Sequence, residues 1–322
     1  MSNLFFPSGT IIFGCLFTCL IGFASMAQPA RAESVQDSAV SEAMPASKEA
    51  TETKEEEENA MTLEHGKINT NDASPVDPGH YEIEPSFSFT QAKRSWDASG
   101  DSRDRGLFRE QNIGLSVQVG LFDNVDMAVI GGYSWLKDED NSFADGAGRM
   151  GATSGYDFTD TEVRGRYRFY NNEKQRLELA YIAGVIIPTG SGSDADNIGT
   201  SQEFWSLAQS LVATKDWQRV TLNGEAGFAL PLGGKRENAR GLLNLNLAVG
   251  YHIFSWLQPE VELNYSHNFS EDADDAQTLA ATAGLIILFN DRIRLMAGIQ
   301  QDMWGENADK TTTLCGSVKF NF

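Results

Sequence analysis

Arg164, Arg166 and Arg168 occupy every second position of the stretch TEVRGRYRFY that begins at Thr161, and Glu162 is in phase with them. Side chains two apart on an extended chain share a face. The spacing therefore builds a ladder of guanidinium groups, roughly 7 Å per step, headed by a carboxylate. Such a ladder can steer anions or brace a wall against carboxylates that face it. The same period groups Arg176 with Glu178 and Arg292 with Arg294. It sets Arg219, Glu225, Glu260, Glu262, Asp302 and Lys319 on the polar faces of other runs, with Glu82, Glu84 and Asp126. Other chemistries lack their residues. Cys15, Cys19, Cys315 and the histidines His65, His80, His252 and His267 give no zinc-ligand spacing, so no metal or other cofactor is expected. A net charge of −20 argues against a nucleic-acid partner, which needs a basic footprint.

The elements that must position the ladder are strands. From Gly79 onward the apolar period is two; residues 243–253, LNLNLAVGYHI, alternate throughout. Twelve such runs are expected, at about 80–92, 106–120, 124–136, 158–170, 175–188, 202–215, 218–231, 241–254, 257–269, 276–289, 292–304 and 311–322. Short connections follow the even-numbered runs, such as Asp216-Trp217 and Asn290-Asp291. Longer polar ones follow the odd-numbered runs, such as Lys137–Asp157, Thr189–Ser201 and Ser270–Asp275. Strict alternation of tight turns and longer loops belongs to an outer-membrane barrel, and an even strand number puts both termini on the tight-turn side, the periplasm. The expected fold is therefore all-β: a transmembrane antiparallel up-and-down β-barrel of about twelve strands.

A soluble sandwich would also alternate but would not band its aromatics. Here Tyr81, Phe169, Phe289, Phe322, Trp217 and Trp256 fall at the tight-turn ends, and Phe89, Trp135, Trp205, Phe269 and Trp304 at the others. Two aromatic girdles are expected at the two interfaces. The last run ends on Phe320 and Phe322, which share a face with Leu314, Gly316 and Val318. That terminal strand looks like the signature that bacterial barrel-insertion machinery reads, so Phe320 and Phe322 are assigned to outer-membrane targeting.

The barrel also decides which way the ladder faces. An Arg on the lipid face near the midplane costs roughly 2–4 kcal/mol, so three in phase select the interior. The expected pore-lining set is Glu162, Arg164, Arg166, Arg168, Arg176, Glu178, Arg219, Glu225, Glu260, Glu262, Arg292, Arg294 and Lys319. Both signs are present. The wall could be braced by ion pairs, or a basic ladder facing acids could impose a transverse field on permeants. Twelve strands ~4.8 Å apart and tilted ~40° make a ring roughly 24 Å across, which side chains reduce to a gap of order 10 Å.

Two segments precede the strands. Residues 11–27, IIFGCLFTCLIGFASMA, form an uncharged apolar run followed by Ser25-Met26-Ala27 and Ala30-Arg31-Ala32, the layout of a signal peptide over residues 1–32. Cys15 and Cys19 leave with it, so Cys315 has no partner in the mature chain. Residues 33–78 are acidic, with the run Glu55–Glu58 and few apolar side chains. Such a segment buries too little to offset its ordering entropy. It is expected to be a mostly disordered periplasmic leader, a solvated tether rather than a lumen plug or docking peptide. The barrel domain is then 79–322.

Three stretches carry a family resemblance: Gly79-His80-Tyr81-Glu82, Asp160-Thr161-Glu162, and Ala183-Gly184-Val185-Ile186-Ile187-Pro188-Thr189-Gly190-Ser191. With the overall layout, residues 79–322 resemble the outer-membrane channel family named after the meta-pathway of phenol degradation. The resemblance implies a Gram-negative outer-membrane channel for small molecules, aromatic or hydrophobic compounds among them. It supplies no binding residue by motif.

The expected partners are outer-membrane lipid and lipopolysaccharide, the insertion machinery and a small-molecule permeant. The alternative is a structural or adhesive barrel without an open pore. An enzyme is not expected: outer-membrane lipid hydrolases place Ser two residues after His, and Ser266-His267-Asn268-Phe269-Ser270 has no such pair. The acidic loop Ser270–Asp275 lacks calcium-loop spacing and is read as solvated surface charge.

Overall fold

The computed structural model describes residues 68–139, 154–193, 197–234, 239–271 and 273–322. The signal peptide, most of the leader, the tip of the Lys137–Asp157 loop and Asp272 lie outside them. The described residues form thirteen strands: β1 (Tyr81–Trp96), β2 (Ser102–Phe122), β3 (Val125–Asp138), β4 (Ser154–Phe158), β5 (Thr161–Asn172), β6 (Leu177–Ile187), β7 (Phe204–Trp217), β8 (Val220–Gly234), β9 (Ala239–Tyr251), β10 (Leu257–Ser270), β11 (Ala276–Asn290), β12 (Ile293–Glu306) and β13 (Ala308–Asn321).

Apart from β4 and β5, every strand pairs antiparallel with its sequence neighbours, and β1 pairs with both β2 and β13, so the sheet closes on itself. β3 pairs with β4 through Tyr133–Lys137 and with β5 through Val125–Ile130. β4 and β5 are thus two halves of one wall strand, interrupted at Thr159-Asp160, and the barrel has twelve staves. All twelve expected runs coincide with these staves.

The alternation is inverted relative to a soluble core. On β10, Gln258, Glu260 and Glu262 are 2% exposed or less, whereas Val261 and Leu263 are 57% and 45% exposed. Residues one apart on a strand face opposite ways, so the polar set lines the inside and the apolar set faces outward as a lipid belt. Trp135, Trp205 and Trp304 are outward at one rim, and Trp217, Trp256 and Phe322 at the other.

The expected alternation of short and long connections needs correction on one side. The β1–β2 connection is only Asp97–Asp101, and β12 reaches β13 through Asn307 alone, which takes a φ of 49°. Above the lipid belt both strand faces can be polar. The apolar period vanishes there while backbone pairing continues, and hydropathy reads the extension as loop.

Candidate functional site: the occupied lumen

Residues 68–78 lie inside the barrel. This corrects the expectation of a solvated tether for that part of the leader. The chain starts at the tight-turn rim, where Gly79 N–H donates to Gly120 O at 3.0 Å. Pro78 bridges Gly120, and a Cβ on Gly120 would lie 2.0 Å from Asp77 O, so only glycine admits the strap there.

From that rim the strap runs up the interior, held by the wall's carboxylates. Val76 N–H donates to Asp126 at 2.9 Å, and the Ser74 hydroxyl bonds Glu178. Ala73 N–H reaches the Thr214 hydroxyl at 2.9 Å. Asn71 places its N–H and its amide on the two oxygens of Glu225, at 3.1 and 2.9 Å. Asn69 N–H bonds Glu262 at 3.0 Å, and its amide reaches Thr282 and Gln300. Ile68 N–H lies between Glu260 and Glu262, at 3.2 and 3.0 Å. The amides of Asn69, Asn71 and Ala73 meet the wall at every second residue, as on an extended strand. Fixing each backbone residue costs about 1–2 kcal/mol, and an intramolecular hydrogen bond contributes about 0.5–1.5 kcal/mol net. The terms are of one order, which suits a strap that seats and can be displaced.

Apolar contacts add to it. Ala73 packs in a buried cluster with Ala180, Ile182 and Val212. Ile68 sits in a hollow made by Gly284 and Gly298, paired neighbours on β11 and β12; a Cβ at Gly284 would meet its Cδ1 at 2.3 Å.

The arginine ladder is divided among three tasks. Arg166 is buried; its Nη1 bonds Asp72 Oδ1 at 2.6 Å and the Ser74 carbonyl, and its Nε is 3.6 Å from Asp126. Arg168 bonds Glu178 at 2.8 Å and the Asp123 carbonyl at 2.9 Å. Arg164, with Glu162 beside it, lines the open part of the lumen. Lys319 pairs with Glu82 at 3.0 Å and lies 3.7 Å from Glu84. Arg294 is buried on the inner face of β12. Three members of the expected set lie in turns. Arg176, Arg219 and Arg292 are exposed and occupy the β5–β6, β7–β8 and β11–β12 turns. Arg176 takes a φ of 48°; its carbonyl accepts Asp216 N–H, as the Arg219 carbonyl accepts His252 N–H. Turn backbone leaves the two-residue phase, so the face argument fails there.

Above the strap the lumen widens to a cavity of about 550 Å³. Its lining is mixed. On β6 to β9, Ile182, Ile186, Phe204 and Leu242 are interspersed with Ser206, Ser210, Asn244 and Asn246. On β10 to β13, Asn264, Ser266, Gln300, Thr313 and Ser317 stand beside Met296 and the free Cys315.

Two of the sequence stretches noted above meet in the wall. Thr161 and Thr189 hydroxyls are 2.8 Å apart, and Thr189 also donates to the Thr159 carbonyl. The buried Asp160 accepts N–H from Gly190 at 3.3 Å and Gln202 at 2.7 Å. They tie the connection after β6 across the break between β4 and β5.

The closed barrel and its inward polar face define a transmembrane channel-type barrel. Residues 104–319 match the family described as MetA-pathway of phenol degradation, and the chain belongs to that family. Among solved structures, an outer membrane channel from Pseudomonas putida F1 superposes with a TM-score of 0.69 at 11% identity, covering 80% of this chain and 100% of its own. The beta domain of the Bordetella autotransporter BrkA gives 0.47 at 12% identity, covering 75% and 99%. The translocator domain of NalP from Neisseria meningitidis gives 0.44 at 9%, covering 85% and 96%. No curated protein matches the sequence. The fold is that of outer-membrane barrels of Gram-negative bacteria.

Proposed function

We propose that this barrel is an outer-membrane channel for small amphipathic molecules, aromatic alcohols being the simplest class, and that residues 68–78 close its periplasmic half until displaced. The observation that carries this reading is the cavity of mixed lining that ends on the strap. Apolar side chains and hydroxyl and amide groups line it together, so a permeant with one ring face and one hydroxyl satisfies both at once. Membership of a phenol-degradation family supports the same class. Both mature termini then lie in the periplasm, Phe320 and Phe322 are read by the insertion machinery, and residues 1–32 are removed on export. Arg164 and Glu162 face the permeant, while Arg166, Glu178, Glu225, Glu260 and Glu262 hold the strap. The reading assigns no catalysis to the lumen.

The test uses the purified chain in liposomes. Swelling in a small aromatic alcohol is expected to exceed swelling in a sugar of similar size. Deleting residues 68–76 should raise single-channel conductance severalfold in planar bilayers. A deletion variant that folds but conducts no better than the intact chain favours the structural or adhesive barrel.

A further inference from the structure

The outward face of β13, β1, β2 and β3 carries a basic patch that the channel does not use. Arg109 pairs in register with Gln91 on one side and Lys137 on the other, so two cations stand on adjacent strands. Farther from the lipid belt, Arg94 pairs in register with Lys310, and Lys93 occupies the bulge beside it. Five cations thus share one outward surface in a chain of net charge −20. Among the described residues, Asp104 is 3.5 Å from Arg94 and 95% exposed, and Glu139 is 2.8 Å from Lys137 and also acts on Arg109. Lys310 Nζ lies over the Trp96 ring at 5.3 Å. Among the described residues, Arg109 and Lys93 have neither a hydrogen bond nor an ion pair. Around the same rim, Arg240 is paired with Glu271 at 3.2 Å beside the acidic Ser270–Asp275 loop.

The height of the patch identifies its partner. Trp135 and Gln111 form the next rung toward the lipid belt, with Trp135 paired to Tyr156 on the other side. Exposed aromatics such as these mark the level where acyl chains give way to headgroups. Lys137 is two residues beyond Trp135, about 7 Å along the strand. Long basic side chains there lay their stems on apolar surface and present their charge to the headgroup layer.

We propose that Arg109 and Lys137, flanked by Lys93, Arg94 and Lys310, bind the phosphates of the phosphorylated glycolipid of the outer leaflet, lipopolysaccharide. The proposal rests on the orientation given above, with the β1–β2 turn at the cell surface. Adjacent lipopolysaccharide molecules need divalent cations between their phosphates. At this patch the protein's own cations take that place, so the contact survives chelation.

The experiment measures capture of lipopolysaccharide by the purified, detergent-solubilised chain in EDTA, using native mass spectrometry. The intact chain should retain it, and enzymatic dephosphorylation of the glycolipid should lower retention at least tenfold. Arg109→Glu with Lys137→Glu should do the same, whereas Arg240→Glu should not. Arg109→Gln with Lys137→Gln provides a milder pair if the glutamate variant fails to show the heat-modifiable band of a folded barrel. Equal retention by the folded double variant, or of the dephosphorylated glycolipid, would overturn the proposal. Conductance of the same samples separates this result from the channel reading, and labelling of Ser99→Cys on intact cells tests the orientation alone.

Discussion

Arg166 and Asp72, 94 residues apart in sequence, form an ion pair at 2.6 Å inside the barrel. One belongs to the wall and the other to the strap, and Asp126 lies 3.6 Å from the same guanidinium. The strap therefore supplies a carboxylate to a basic group that the wall's Asp126 also faces. Closure and charge balance are coupled at this point.

Arg166→Ala leaves Asp72 and Asp126 facing each other without their cation. Breaking a buried pair costs on the order of 3–5 kcal/mol, and the adjoining open cavity puts this one at the lower end. The strap should detach first, because it is held by bonds and not by the sheet. Planar-bilayer recordings should show conductance raised severalfold in a barrel that still shifts on heating before electrophoresis. Unchanged conductance in a folded variant would mean that the strap is not held by this pair.

Cys315 offers a readout that needs no substitution. It lies in register with Gly298, over which Ile68 packs. A small thiol reagent should modify Cys315 slowly in the intact chain. Deletion of residues 68–76 should speed the reaction roughly tenfold, equivalent to about 1.4 kcal/mol of local protection. Equal rates would show that the strap leaves the glycine hollow uncovered in solution.

Arg105 joins Asp138 on β3 at 2.5 Å to Asp309 on β13, and all three side chains are largely buried. Arg105→Ala should destabilise the extension above the lipid belt by about 3–5 kcal/mol. Because the belt is untouched, the transmembrane part should remain folded. Limited proteolysis should then cut between residues 93 and 110 in the variant and not in the parent; resistance in both would deny the triad its bracing role.

The β1–β2 turn should respond to acid. Asp97 accepts N–H bonds from Ser99 at 2.8 Å and Asp101 at 3.1 Å and pairs with Arg103. These partners, the Ser99 bond foremost, hold its carboxyl below the ordinary range. A depressed folded value means that the turn gains from the carboxylate above the unfolded pKa and loses it as pH falls through the folded one. A carbon-13 carboxyl titration should place Asp97 below the usual Asp value, with the Ser99 and Asp101 amide shifts moving together. Titration at the usual value would exclude the linkage.

Cysteines at Ser99 and Asp274 should react with an impermeant reagent on intact cells, while one at Asn172 should not. Ser99 sits in the β1–β2 turn, and Asn172 ends β5 at the opposite end of the staves. Labelling at Asn172 from outside would reverse the orientation.

What the sequence by itself determined is the wall. Period-two alternation sets which side chains share a face, and the cost of a charged group in lipid sets which face is inside. Glu260 and Val261, adjacent in the chain, fall on opposite faces for that reason alone. The same reasoning located all twelve staves, and local pairing of neighbours in sequence needs nothing more. It does not reach places where the chain leaves that phase, as at Arg176, Arg219 and Arg292 in their turns, and it misreads the polar strand extensions as loops. The strap was the larger omission. Residues 68–79 lose the Glu and Lys of the preceding leader and carry Asn69, Asn71, Pro75 and Pro78, a shift in composition that marks a boundary without saying what lies beyond it. Its seat is built from Glu225 on β8, Glu260 and Glu262 on β10, Gly284 on β11 and Gly298 on β12. These residues become neighbours only when the sheet curves and closes. Tertiary structure alone decided that the inward carboxylates hold backbone amides of the strap, because contact across a lumen depends on barrel curvature and not on spacing along the chain.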